Sequence, residues 1–182
     1  MLEKLNDLDS RWMYLALVVA LVIPIIKPIG MPISINKDLT QRAYDYVETL
    51  GPGDIVMFDI AYAASSDTEL TPMVMAVMEQ MARLDLKLLV AGQFESGLYF
   101  TKDKIANKAE ELGWTYGTDW VNIGFKAGGT ATWRAIGADF WSGAMGIDID
   151  QTPFEQLPLM DRIKTLNPTD ISLIIIYESG SP

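Results

Sequence analysis

The chain has 182 residues, with 14 Lys and Arg, 24 Asp and Glu, no His and no Cys, giving a formal net charge of −10. The missing residue types exclude Ser-His-Asp and Cys-His catalysis, thiol redox chemistry, disulfides, Cys/His zinc sites and histidine-ligated haem. A hydrophobic share of 49% marks a folded chain, and a pI near 4.4 leaves no basic face for a nucleic-acid partner.

Residues 12–26 read WMYLALVVALVIPII without a charge, and beyond Lys27 the chain continues apolar through Pro28, Ile29, Met31 and Ile33. Snorkelling of Lys27 extends the stretch to the length of about 20 residues that a bilayer requires. Trp12 and Tyr14 stand where interfacial aromatics belong. A cleaved signal peptide would need small residues near its end, where this chain has bulky ones and prolines. A buried core helix would not be apolar on every face. The expectation is an arm over residues 1–11, a transmembrane anchor with a proline-rich exit over 12–33, and an α/β domain over 36–182. The short arm before a large domain fits a single-pass signal anchor with the domain outside the cytoplasm, although Lys and Arg flank both ends.

Asn36 or Asp38 caps a helix with Leu39, Ala43, Tyr46, Val47 and Leu50 on one face, closed by Gly51. After the turn GPGD, the run IVMFDIAYA has the character of a strand buried on both faces. Residues 69–84 carry Leu70, Val74, Val77, Met78, Met81 and Leu84 at helical period, with Pro72 in the first turn. The methionines there are core filler rather than a soft-metal surface. Residues 86–94 read as a second strand, 101–112 as a helix stopped by Gly113, and 120–125 as a third strand. A helix then begins at Thr130, a short one follows over 158–166, and residues 171–177 form a fourth strand. This alternation predicts a three-layer, mostly parallel, Rossmann-like α/β sheet behind the N-terminal transmembrane helix. A further helix is expected after the fourth strand, so the domain reads as incomplete at its C-terminus or as needing a partner.

The order of these phrases, GPGDIVMFDIAYA, ELTPMVMAVMEQ, YGTDWVNIGFKAGG and IIIYESGSP behind an apolar segment and a proline-rich exit, resembles an uncharacterised family of membrane-anchored prokaryotic α/β proteins. The resemblance covers nearly the whole chain. It implies further α/β structure and a second membrane segment after the last loop, and carries no catalytic residues over.

Ligands of open parallel sheets bind beyond the carboxyl ends of the strands. In GFKAGGT, Gly124, Gly128, Gly129 and Thr130 bring backbone N–H groups to a helix N-terminus, where Lys126 adds charge for an anion. Neither phosphate-loop fingerprint is present, and a tight turn with a helix cap is the favoured account of the glycines. Asp59, Glu95 and Glu178 stand near strand ends. With Cys and His absent, Mg²⁺ or Ca²⁺ are the metals such carboxylates suit. Ser65, Ser66 and Asp67 read as a helix cap. Ser96 or Ser179 with Lys126 offers a Ser-Lys pair but no nucleophile elbow. Asp148 and Asp150 read as a solvated turn. The leading expectation is a membrane-tethered domain that binds a ligand, a protein partner or itself without catalysis. The rival is a carboxylate-metal hydrolase or transferase built on Asp59, Glu95 and Glu178.

Overall fold

Why the apolar runs become strands is visible in their surroundings. The computed structural model describes residues 9–27 and 37–179, and within it β1 (Ile55–Ala61), β2 (Lys87–Gly92), β3 (Trp120–Phe125) and β4 (Leu173–Glu178) form one parallel sheet. Every residue of β1 is buried, as a strand covered on both faces must be. The proline-rich exit after Lys27, the Asn36 cap and the last three residues lie outside the described residues.

The strand order is β3-β2-β1-β4. The first two connections step one way from β1, and the third returns across the sheet to place β4 on the other side of β1. The order therefore reverses between β1 and β4, which is where doubly wound sheets open a crevice. The expected parallel α/β architecture is present.

Helices α3 (Asp67–Arg83) and α4 (Glu95–Glu111) make the first two crossovers. Val74, Met78, Met81, Leu98 and Ile105 pack there against Val56, Phe58 and Ile60 of β1 and Leu88 and Val90 of β2. The long return from β3 carries α5 (Gly129–Ala138), α6 (Phe140–Gly143) and two 3₁₀ turns, Phe154–Gln156 and Pro158–Arg162. Their Ile136, Phe140, Phe154 and Met160 bury Ile55, Met57, Leu89, Ala91, Val121 and Ile123 on the opposite face. The alternating side chains of each strand thus feed two cores, one per face. The segment expected as a short helix over 158–166 is a 3₁₀ turn ending at Arg162.

Helix α4 begins at Glu95, six residues ahead of the expected start. Gly97 is the reason its first turn can lie there, because a Cβ at that position would meet the Tyr62 carbonyl oxygen at 2.0 Å. Glu95 and Ser96, expected in a strand-end loop, are consequently in the first helical turn.

The chain divides into two compact units, Met1–Thr40 and Gln41–Pro182. The first contains α1 (Ser10–Ile26), capped by the Asp9 carboxylate accepting from the Arg11 N–H at 3.0 Å. No residue of α1 is buried. The transmembrane anchor expected within 12–33, ahead of the proline-rich exit, is not found among the described residues. Helix α1 has 17 residues and gives way at Lys27 to extended backbone, φ −130°, for a length of about 26 Å against a hydrocarbon core of about 30 Å. No helix among the described residues is long and apolar enough to cross a membrane.

Helix α2 spans Lys37–Glu48. In the second unit, Gln80 Nε2 donates to the Tyr44 carbonyl and the Glu48 carboxylate, at 3.0 and 2.9 Å. Buried Val47 joins the first core.

Candidate functional site

Asp59 is the charged residue of an otherwise apolar β1, and the strand's alternation sets it on the α5/α6 face near the carboxyl end. It is 3% exposed. Gln93, just past the end of β2, donates Nε2–H to Asp59 Oδ2 at 2.6 Å. Asp59 Oδ1 is buried without a hydrogen-bond partner. Glu178 lies on the other side: the register pairs Asp59 with Ile176 and Ala61 with Glu178, so Glu178 shares the Asp59 face diagonally across the strands. Burial pushes the Asp59 carboxyl above the ordinary carboxylate range. Gln93 offsets part of that rise, and the like charge of Glu178 adds to it.

The structure therefore sets Asp59, its partner Gln93 and exposed Glu178 on one face at the carboxyl ends of β1, β2 and β4, with half-buried Ser179 following Glu178. An unpaired buried carboxylate oxygen costs stability, and such costs are characteristic of binding and catalytic sites. Three other buried side-chain atoms lack partners among the described residues, namely Asn122 Nδ2, Trp133 Nε1 and Tyr177 Oη. None of these carries a full charge.

On the opposite face Tyr62 Oη and Thr71 Oγ1 are 2.8 Å apart, Thr71 donates to Asp67 at 2.6 Å, and Asp67 pairs with Lys104. Tyr177 stands edge-on to Phe58 at 5.2 Å, and burial holds its phenol well above the ordinary tyrosine range. The contacts from Tyr62 to Lys104 order the start of α3.

Glu95 is exposed in the first turn of α4, a helix packed against the first core. The carboxylates Asp59, Glu95 and Glu178 do not gather: among the described residues no group of three acidic side chains is placed to hold a metal ion. The three-carboxylate centre expected from sequence is thus not formed, because α4 and Asp59 occupy opposite faces of the sheet.

In the GFKAGGT loop, Gly128 and Gly129 have positive φ, 112° and 54°, and lead into α5 beside exposed Thr130. Gly124 also has positive φ, 78°, and its N–H donates to Asn122 Oδ1 at 2.9 Å. Lys126 points inward. It is 4% exposed and donates to the Ala144 carbonyl at 2.8 Å, and burial lowers its pKa while Asp148 partly restores it. The ammonium thus caps the end of α6.

Asp148 of the D-x-D is also buried and structural rather than solvated. It accepts from the N–H groups of Asp150 and Thr152 at 2.8 and 2.7 Å and from Tyr116 Oη at 2.7 Å. Asp150 pairs with Lys102.

Gln93 is the member of the site that sequence reasoning did not single out. Its signal was period-two alternation: it follows Ala91 on the face that also carries Asp59. No family model, curated protein or solved structure gives a significant match to this chain. The functional reading therefore stands on the geometry of these side chains.

Proposed function

We propose that this chain is a membrane-associated binding module whose ligand enters the crevice between the carboxyl ends of β1 and β4. The carrying observation is Asp59, a buried acid held through one oxygen by Gln93 while the other oxygen has no partner. A carboxylate kept for structure would have both oxygens satisfied, as Asp148 has. The test is the stability of Asp59→Asn. A gain in melting temperature supports a ligand-binding role, and a clear loss overturns it.

Membrane association rests on α1. The 17-residue helix carries exposed apolar side chains along its length and, though too short to cross the hydrocarbon core, offers them to lipid. In this reading the acidic α/β domain faces water outside the cytoplasm. Flotation of the full chain with phosphatidylcholine vesicles tests the association. The wild type should rise with lipid and the Val18→Asp/Leu21→Asp variant should stay below; equal behaviour of the two would sink the proposal.

A second reading, a protein partner or second copy laid over β4, is favoured by Ile174 and Ile176. They are 42% and 57% exposed on a strand whose β1 neighbours are buried. Light scattering on Ile176→Lys against wild type tests it. Self-association in both proteins, or in neither, would remove this support for a second copy.

A further inference from the structure

We propose that Asp59 and Glu178 bind a hard divalent cation, Mg²⁺ or Ca²⁺, over the switch point between β1 and β4. The inference rests on the ligand-binding reading above and names the ligand's chemistry. Gln93 occupies Asp59 Oδ2 and so fixes the plane of the carboxylate, leaving Oδ1 as the free oxygen. That oxygen is buried on the face to which Glu178 also belongs.

The surroundings select the kind of ligand. Neither acid is ion-paired to a Lys or Arg of the described residues, and the register sets their two like charges on one face. A neutral ligand would leave that repulsion in place. A single ammonium would neutralise one charge, whereas a divalent ion neutralises both. All the donors are oxygens, which suits Mg²⁺ and Ca²⁺ rather than soft metals. Two carboxylates completed by water is an ordinary Mg²⁺ arrangement, and the absence of a third acid among the described residues places the site in a weak class, with Kd about 10⁻⁴–10⁻³ M. Gln93 is a positioning residue here, since it touches the carboxylate rather than the ion.

The experiment is calorimetric titration of the full-length protein in micelles with MgCl₂ and CaCl₂ at constant ionic strength, paired with Mn²⁺ relaxation broadening in NMR spectra. Saturable binding is expected, with broadening confined to residues near 59–61 and 176–179. Asp59→Asn and Glu178→Gln should each weaken binding about tenfold or more, and Gln93→Leu by a comparable factor. Glu155→Gln, an exposed acid elsewhere, should bind as wild type. No binding below about 10 mM, broadening spread over the acidic surface, or an unaltered Asp59→Asn titration would each overturn the inference. A parallel melt of Asp59→Asn separates two failures. If the ion does not bind but the variant is stabilised, only the choice of ligand falls. If the variant is destabilised, the crevice reading falls as well.

Discussion

Replacing Asp59 by Asn keeps the side chain's shape and removes its charge. Above its raised pKa the wild type holds an ionised carboxylate at 3% exposure with one oxygen unpaired. Leaving such a group unsatisfied costs about 1–3 kcal/mol or more when charged. Against that, the Gln93 hydrogen bond falls from a charge-assisted value of about 1.5–3 kcal/mol to a neutral one of about 0.5–1.5 kcal/mol. Asn also places an amide N–H₂ where Oδ1 was, so part of the desolvation cost remains. Relief of Glu178 repulsion then tips the balance, for a net stabilisation of about 1 kcal/mol. For a domain of this size that is an increase in melting temperature of about 2–4 °C.

The pH dependence has a definite sign. Because the Asp59 pKa is raised on folding, the folded state binds the proton more tightly than the unfolded state does. Wild-type stability from this group is present below the ordinary value of 3.8 and is lost as pH rises through the raised one. The Asn advantage should therefore grow as pH rises through the raised value and shrink toward 3.8. Urea melts of both proteins across that range measure it. A variant less stable than wild type by more than about 1 kcal/mol at pH 7 would make Asp59 a structural acceptor and refute the reasoning.

Gly97→Ala should destabilise the domain by about 2 kcal/mol or more despite the better helix propensity of Ala, since its Cβ would stand 2.0 Å from the Tyr62 carbonyl oxygen. Chemical denaturation checks this, and a stabilised variant would show that the first turn of α4 does not pack on the end of β1. Lys126→Met should cost about 1–3 kcal/mol, because the Ala144 carbonyl loses the ammonium at 2.8 Å while the apolar stem is retained. Unchanged stability in a thermal melt would return Lys126 to the loop surface as an anion ligand.

The fold was legible in sequence because β1 and β2 are apolar runs and the crossover helices carry apolar stripes of the right period. Gly97 was not legible as a helical residue, since its role is set by a backbone atom 35 positions earlier, at Tyr62. The burial of Lys126 is hidden for a related reason: a lysine beside two glycines offers itself as an anion contact, and only the return of the chain through Ala144 supplies the carbonyl that buries it. Asp148 and Asp150 look alike on paper, yet one is enclosed by Tyr116 and two N–H groups while the other pairs with Lys102. Asp59 could be placed at a strand end from sequence alone. Its pairing with Gln93 and its separation from Glu95 required the strand order and the two faces. The apolar run over 12–26 coincides with helix α1, but 17 residues are too few to cross a membrane.

The most direct measurement is an NMR titration of the Asp59 side-chain carboxyl carbon in the wild type and in Glu178→Gln. A buried acid with an unpaired oxygen beside a like charge should titrate above the ordinary value of 3.8 in the wild type, and closer to it once Glu178 is neutral. A wild-type midpoint at or below 3.8, unmoved by Glu178→Gln, would mean that Asp59 is fully satisfied within the fold and that no ligand site is held open between β1 and β4.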